Sequence, residues 1–276
     1  MKKNIVFGSS GLVGSAFYDL LKKKKNFIFY SKNNQKFEKF NLNSDIKKFP
    51  FKDINCCYFF SSPRILKKNF INNNFKLELE WLKKLVLNIK IKKIIYISSS
   101  SVYYKKNHII GSVKLKCENF ILKKKNLFSN YQIWRPFNLI GDKYLNSEHF
   151  HNQLFKEMFL KKKKSSIFSG NLNDRRGYSK VEHFVKILYR HSLKKSSFIK
   201  DYGNKDLVTI SEILNLFNAY YIKINKKTFK PVFKSKKANT NRVKINKNTI
   251  FYKKKSLGIM KKFLIKSINE KKMQHL

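Results

Sequence analysis

The sequence predicts an α/β fold, in which a doubly wound parallel sheet is followed by a small C-terminal α/β lobe. Three observations indicate it: short apolar runs alternate with amphipathic segments of helix length, a glycine-rich loop follows the first run, and the pattern changes to shorter, mixed pieces after Lys161. Strands that alternate with helices are typical of a parallel sheet covered on both faces. We therefore expect one domain at residues 1–160 and a smaller lobe at 161–276, interleaved with the first.

The first elements are predicted to be a strand, a loop and a helix. Residues 4–7 form a short apolar run, residues 8–14 contain three glycines, and residues 15–25 have helical periodicity. A second strand is predicted at 27–30.

The remaining elements follow from the same patterns. Strands are predicted at 56–60, 94–97 and 131–135, and helices at 77–88, 114–122, 149–160, 181–191, 211–218 and 260–270. Thr209 or Ser211 is expected to cap the helix at 211–218.

The composition indicates a folded protein with a large core. The chain has 276 residues, 42% of them hydrophobic, with 26 Phe and 14 Tyr. Apolar runs are too short to cross a bilayer, so we expect a cytoplasmic protein without a membrane partner. Cys56, Cys57 and Cys117 form no metal-ligand spacing, which favours free thiols in a reducing compartment and no metal site.

The charge is strongly positive, because 62 Lys and Arg residues face 16 Asp and Glu, a net charge of +46. A polyanion partner is one interpretation of this excess. Only six of the basic residues are arginines, however, and proteins that read nucleic acids usually rely on the arginine fork. Scattered lysines instead indicate compositional drift, with non-specific attraction to nucleic acid at low salt.

The glycine loop is the clearest functional motif. Gly8, Gly11 and Gly14 have the spacing GxxGxxG, directly after a strand and at the start of a helix. Such glycines permit a tight turn, close approach of a pyrophosphate and close packing of the helix on the strand. The sequence therefore predicts a Rossmann-like dinucleotide site, with Ser10, Leu12 and Val13 in the same loop; a glycine-rich turn without a ligand is the alternative.

The choice of cofactor is usually made at the end of the second strand, where a carboxylate binds the adenosine ribose of NAD. Tyr30 is followed there by Ser31, Lys32 and Asn33, and no carboxylate is present. Ser31 and Lys32 can receive a 2′-phosphate, so NADP is favoured over NAD. The alternative is that Lys32 is an ordinary surface lysine.

Several further motifs, in their order along the chain, resemble the extended short-chain dehydrogenase/reductase family, the epimerase/dehydratase group that acts on nucleotide sugars. Besides the glycine loop they are Ile94–Tyr103 with its serine-rich end, Gly111–Lys114, Arg135–Gly141, Arg176–Tyr178 with Val181, and Leu257–Gly258. The resemblance spans nearly the whole chain. It implies an NAD- or NADP-dependent epimerase, dehydratase or reductase that transfers hydride between a sugar carbon and the nicotinamide.

The resemblance also implies catalytic positions. Ser99 matches the family's serine and Lys114 its lysine, but Ile110 stands where the catalytic tyrosine is expected. A phenol has a pKa near ~10 and acts at neutral pH only when a cation stabilises its anion. Isoleucine has no proton to exchange, so the alternative is a catalytically inactive cofactor-binding homologue that acts as a sensor or partner subunit.

Three side chains on a shortened loop are candidate replacements for the tyrosine: Tyr103, Tyr104 and His108. The alternative is that Tyr103 is a packed aromatic and His108 a solvated residue. Ser61 ends the strand that the family places against the cofactor, although the family usually has Ala or Gly there.

The resemblance assigns the second lobe to substrate binding. Asn138 and Arg176 match positions that contact the nucleotide sugar, with the arginine at the diphosphate. Helices near 77–88 and 111–122 match the family's dimer-forming pair, which implies a homodimer, although the sheet could equally cover their apolar faces.

Overall fold

A computed structural model describes residues 2–32, 34–63, 76–103, 109–141, 150–234 and 249–273. Its strands are β1 (Asn4–Phe7), β2 (Phe27–Ser31), β3 (Glu38–Lys39), β4 (Asp53–Phe59), β5 (Lys90–Ile97), β6 (Asn130–Pro136), β7 (Asn138–Ile140), β8 (Ser165–Ser169), β9 (Arg175–Lys180), β10 (Phe198–Asn204), β11 (Leu207–Thr209), β12 (Lys230–Lys234) and β13 (Ile250–Tyr252). Its α-helices are α1 (Leu12–Leu21), α2 (Leu77–Asn88), α3 (Ile109–Lys123), α4 (Phe150–Phe155), α5 (Val181–Ser192), α6 (Ile210–Asn225) and α7 (Ser256–Met273).

The main sheet has eight strands in the order β13-β10-β6-β5-β4-β1-β2-β3. The pairs from β10 to β3 are parallel. The chain builds outward from β1 in both directions, so the strand order reverses between β1 and β4. This arrangement confirms the predicted doubly wound α/β fold, in which ligands bind beyond the carboxyl ends of the strands at such a reversal.

The chain divides into two compact units. The first contains Met1–Pro136, Val181–Tyr202 and Asn246–Ile250, and the second contains Phe137–Lys180, Gly203–Ile245 and Phe251–Leu276. The expected boundary after residue 160 falls inside the first segment of the second unit.

The first unit holds the main core. The central strands β1, β4 and β5 are buried along most of their length, as expected for strands covered on both faces. Helix α2 packs Leu82, Leu85 and Val86 into this core, and α3 adds Val113 and Ile121. Burial of these apolar side chains stabilises the helices, whose own propensity is modest.

The second unit contains two small sheets. One has the order β11-β9-β7, with β9 antiparallel to β11 and parallel to β7. The other is the parallel pair β12-β8.

Several helix boundaries differ from the sequence predictions. Helix α3 begins at Ile109 rather than Lys114, and α7 begins at Ser256 rather than Met260. Helix α1 begins at Leu12 rather than Ser15, because Gly11 occupies the N-cap and the Ser15 N–H already donates to the Gly11 carbonyl at 2.8 Å. Helix α6 runs to Asn225 rather than Asn218. Thr209 caps α6 as predicted and forms a reciprocal capping box with Glu212.

The predicted helix at 149–160 changes geometry partway. Residues Phe150–Phe155 are α-helical, and Lys156–Leu160 continue as a wider π-type turn. None of the helices in the described part of the chain is long and apolar enough to cross a membrane.

Candidate functional site

The glycine loop joins β1 to α1 at the reversal of strand order. Gly8 has φ +83°, which L-residues rarely adopt, and a Cβ on it would lie 2.6 Å from the Ser61 backbone nitrogen. Ser61 follows β4, the strand beside β1. Only glycine therefore fits between the loop and the end of β4.

The third glycine allows α1 to approach the loop closely. A Cβ on Gly14 would lie 2.1 Å from the Gly8 carbonyl oxygen, so a methyl group has no room there. The loop is held further by the Ser9 N–H, which donates to the Tyr30 carbonyl at 3.1 Å, and by the Ser9 hydroxyl, which donates to the Val6 carbonyl at 3.1 Å.

The first turn of α1 presents backbone donors. The N–H groups of Leu12, Val13 and Gly14 precede the first intrahelical hydrogen bond and have no acceptor within the helix. The partial positive charge of the helix N-terminus adds to these donors. Together with the glycine geometry, this arrangement fits a phosphate group at the end of β1.

A cavity of about 540 Å³ lies beside the loop at the end of β2, lined by Ser10, Ser31, Lys32, Asn34 and Gln35. The Ser31 hydroxyl donates to the Ser10 hydroxyl at 2.9 Å, which ties the end of β2 to the loop. None of these lining residues is acidic.

Lys114 lies in α3 with its side chain directed to the end of β5. Its Nζ donates to Glu78 Oε1 at 2.7 Å and to the Ile97 carbonyl at 2.9 Å, and its side chain is 10% exposed. The ammonium group has three N–H donors, and these contacts use two of them. The sequence analysis did not identify Glu78, which is fully buried in α2.

Ile110 occupies the first turn of α3, four residues before Lys114, and is half-buried. The next residue, Gly111, packs tightly on the short helical turn at Ser100–Tyr103, since a Cβ on it would lie 2.2 Å from the Ser101 carbonyl oxygen. An aliphatic side chain therefore lies one helical turn before Lys114.

Ser99 lies just after β5, where its hydroxyl accepts from the Ser101 N–H at 3.1 Å. It is half-buried. This contact fixes the serine at the carboxyl edge of the sheet and leaves its hydroxyl proton to donate elsewhere.

Tyr103 ends the turn that begins after Ser99. Its hydroxyl lies 2.8 Å from both carboxylate oxygens of Asp201 and accepts from Arg135 Nη1 at 2.8 Å. Burial, and then the hydrogen bond to Asp201, raise the pKa of Tyr103. The phenol therefore stays protonated at neutral pH, which suits a proton donor better than a base.

A buried network supports Tyr103. Arg135 donates to Glu118 through Nε at 3.0 Å and Nη2 at 2.5 Å, and the Ser98 hydroxyl also donates to Glu118. Burial raises the pKa of Asp201, although Tyr103 and Arg135 lower it in part. Sequence reasoning identified Tyr103 but not this network.

The two predicted substrate residues lie on adjacent strands of the second unit. The Asn138 Nδ2 group in β7 donates to the Gly177 carbonyl at 3.3 Å, and Arg176 lies in β9 beside Gly177. Burial raises the pKa of the neighbouring Tyr178 to about 12, and the charge and hydrogen bonding of Arg176 lower it in part. Arg176 itself is partly buried.

Two predicted candidates, Tyr104 and His108, lie outside the described residues. The three cysteines are buried free thiols. Within the described ranges, no group of three or more His, Cys, Asp or Glu side chains could hold a metal ion.

Comparison with solved structures supports the fold over the full length of the chain. MoeE5, solved with UDP-glucose and NAD, superposes with a TM-score of 0.74 at 14% identity and covers 99% of this chain and 100% of its own. The UDP-glucuronic acid 4-epimerase from Bacillus cereus, solved with UDP-glucuronic acid and NAD, gives a TM-score of 0.72 at 17% identity, covering 97% and 99%. A UDP-galactose 4-epimerase gives 0.70 at 12% identity, covering 98% and 99%.

No family model matches the sequence. No curated protein matches it either. The chain has the α/β fold of these three structures, and the likeness at this level of identity defines the fold alone.

Proposed function

We propose that this protein binds NAD or NADP and a nucleotide sugar, and transfers hydride between a sugar carbon and the nicotinamide ring. The observation that carries the proposal is the glycine loop. Gly8 and Gly14 allow close backbone contacts that a single Cβ would prevent, and these contacts place the N-terminus of α1 at the strand reversal of a fold shared over nearly the whole chain with UDP-sugar epimerases.

Each part of the dinucleotide has a proposed place. The pyrophosphate would contact the N–H groups of Leu12 and Val13, where Gly11 carries no side chain to obstruct it. The adenosine ribose would occupy the cavity with Ser31 and Lys32. The absence of an acidic lining residue favours the 2′-phosphate of NADP, whereas the similar solved structures contain NAD.

When bound, the nicotinamide supplies the hydride acceptor or donor. Ser99 and Tyr103 are the proposed proton-handling residues of this chain, both at the carboxyl end of β5. The Tyr103 hydroxyl would give its proton to a substrate oxygen, and Arg135, 2.8 Å away, would stabilise the phenolate. The remaining N–H of Lys114 would donate to a ribose hydroxyl.

We propose that Asn138 and Arg176 bind the nucleotide sugar. Arg176 is one of six arginines in a chain dominated by lysine, and a guanidinium group binds a diphosphate with two directed hydrogen bonds. We also propose a homodimer through α2 and α3, whose exposed Leu87 and Leu115 lie outside the core.

A second candidate function is cofactor binding without catalysis, as a sensor or partner subunit. Ile110 in place of the tyrosine favours this candidate, and so does the ion pair that engages Lys114 with Glu78. The two candidates share the cofactor site and differ in turnover.

Fluorescence titration with NADPH and NADH tests the cofactor site. We expect saturable binding that is lost in Gly11→Asp, because the new carboxylate would occupy and repel the pyrophosphate position. Gly258→Asp introduces the same charge at an exposed helical position with no neighbouring atom within 4 Å, and should bind normally. Failure of the unsubstituted protein to bind either nucleotide would refute both candidates.

Hydride exchange then separates the candidates. The protein is mixed with reduced dinucleotide and a 4-keto nucleotide sugar, the direction in which the carbonyl oxygen takes the Tyr103 proton as its carbon takes hydride, and the loss of reduced cofactor is followed by fluorescence. Exchange that Tyr103→Phe abolishes without loss of cofactor binding supports the enzyme. Tight cofactor binding with no exchange across a broad panel of nucleotide sugars supports the non-catalytic protein.

A further inference from the structure

A group of four side chains, which we call the Glu78 cluster, lies at the carboxyl ends of β4 and β5; Glu78, Tyr96 and Lys114 are buried and Ser62 is exposed. Glu78 Oε1 accepts from the Tyr96 hydroxyl and from Lys114 Nζ, each at 2.7 Å, and Oε2 accepts from the Ser62 hydroxyl at 2.7 Å. Tyr96 and Glu78 are fully buried.

The cluster contains one negative and one positive charge. Burial, and then the charge of Glu78, raise the pKa of Tyr96 well above its usual value, so the phenol is neutral and donates to the carboxylate. The Lys114 ammonium lies 5.2 Å from the centre of the Tyr96 ring. A buried charge without a partner is costly, and here Glu78 and Lys114 compensate each other.

The cluster lies next to the proposed cofactor site. Ser62 directly follows Ser61, whose backbone nitrogen packs against Gly8 of the glycine loop. A dinucleotide crosses the sheet at the reversal of strand order. With the adenosine half at the end of β2 and the pyrophosphate at β1, the nicotinamide half extends towards β4 and β5, where Lys114 and Glu78 lie.

We propose that Glu78 is the counter-charge of Lys114, and that by neutralising this lysine it lets the protein bind oxidised dinucleotide as readily as reduced dinucleotide. Glu78 thereby supplies the negative charge that a phenolate at position 110 would have supplied. The inference rests on the proposed function, because it requires the nicotinamide at this end of the sheet.

The physical basis is the charge of the nicotinamide ring, which is positive when oxidised and neutral when reduced. An uncompensated ammonium group nearby disfavours the oxidised ring, and the effect is large where the dielectric is low. When the lysine is paired with a carboxylate, the two opposite charges largely cancel, and their electrostatic effect on the nicotinamide ring is much weaker. Glu78 is thus a positioning residue, which acts on the cofactor through Lys114.

Calorimetric titration of oxidised and reduced dinucleotide, NADP+ with NADPH and NAD+ with NADH, into the full-length protein tests this role, and the readout is the ratio of the dissociation constants of the oxidised and reduced forms. In Glu78→Gln we expect the ratio Kd(NAD+)/Kd(NADH) to rise about tenfold, because no carboxylate then compensates the positive charge of Lys114. In Lys114→Met the ratio should fall, because the negative charge of Glu78, no longer compensated, favours the positively charged oxidised ring. Loss of a ribose contact would weaken both forms alike and leave the ratio unchanged.

The double variant Glu78→Gln/Lys114→Met removes both charges and should return the ratio to that of the unsubstituted protein. Glu80→Gln removes an exposed carboxylate from the same helix and should change nothing. If Glu78→Gln does not fold, the difference between Lys114→Met and the double variant measures the effect of the Glu78 charge.

Equal ratios in all folded variants would overturn the inference while the proposed cofactor site stands. Failure of the unsubstituted protein to bind any of the four dinucleotides would overturn the proposed function and the inference together. The two failures are therefore distinguishable in the same titrations.

Discussion

A methyl group on Gly14 would lie 2.1 Å from the carbonyl oxygen of Gly8, so the first helix and the glycine loop touch backbone to backbone. The equivalent contact at Gly11 is longer, 3.3 Å to the same oxygen, and Gly11 has an extended backbone with φ −79° that any residue adopts. The two glycines therefore have different roles: Gly14 permits packing, and Gly11 leaves space for a ligand.

The first prediction concerns this pair. Gly14→Ala should lower the free energy of unfolding by about 1–3 kcal/mol, because the helix must move away from the loop. Gly11→Ala should cost about 1 kcal/mol or less. Urea unfolding followed by circular dichroism measures both, and equal costs would contradict the distinction.

The second prediction concerns the cavity at the end of β2. Lys32→Ala should weaken NADPH binding about tenfold and leave NADH binding unchanged, because only NADPH places a phosphate near this ammonium group. Lys36→Ala removes a nearby lysine that lies over the Tyr18 ring, and serves as the control. Equal effects of Lys32→Ala on both nucleotides would identify Lys32 as a surface lysine without a role in selection.

The third prediction concerns Tyr103 and pH. Asp201 is 2% exposed, and burial raises its pKa because the ionised carboxylate loses its hydration. The hydrogen bond from the Tyr103 hydroxyl stabilises that ionised form. Tyr103→Phe should destabilise the fold by about 1–3 kcal/mol above the folded-state pKa of Asp201. The loss should shrink as pH falls through the folded-state pKa of Asp201, because the protonated acid no longer needs the donor.

Chemical denaturation at several pH values measures this dependence. Tyr131→Phe removes a hydroxyl from β6, the strand that pairs with the Asp201 strand β10, and should show no such pH dependence. A loss for Tyr103→Phe that is constant with pH would mean that the hydroxyl does not stabilise the ionised Asp201.

The fourth prediction concerns the end of α6. Lys226 has φ 55° and ψ 26°, the left-handed conformation, and its N–H donates to the Ile222 carbonyl at 2.9 Å. Lys226→Gly should raise the free energy of unfolding by about 1 kcal/mol, because glycine adopts this conformation without steric cost. Lys227→Gly removes the same charge one residue later, where φ is not positive, and should bring no gain in thermal stability.

Much of the fold could be predicted from the sequence because its signals are local. The apolar runs at β1, β4 and β5 are continuous, as strands buried on both faces require. The glycine spacing predicted the loop, and Thr209, one of the two predicted cap residues, caps α6. No proline or glycine interrupts residues 218–225, so the sequence has no signal that marks the end of α6. Packing decides where such a helix ends, and the extra length was therefore missed.

The side-chain contacts of the candidate site could be predicted less well because they join distant segments. Glu78 lies 36 residues before Lys114, and Tyr103 lies 98 residues before Asp201. One signal was present: Glu78 shares the buried face of α2 with Leu82 and Leu85, at i, i+4 and i+7. A carboxylate on an apolar helical face indicates a buried partner of opposite charge.

The division of the chain has a consequence for its synthesis. The first unit begins at Met1 but includes Val181–Tyr202 and Asn246–Ile250, so it has all its parts only when 250 of the 276 residues have been made. A domain contiguous in sequence folds while the ribosome is still extending the chain. Here β10 and β13 reach the sheet last, and the lysine-rich nascent chain carries an unfinished sheet edge until both strands have been made.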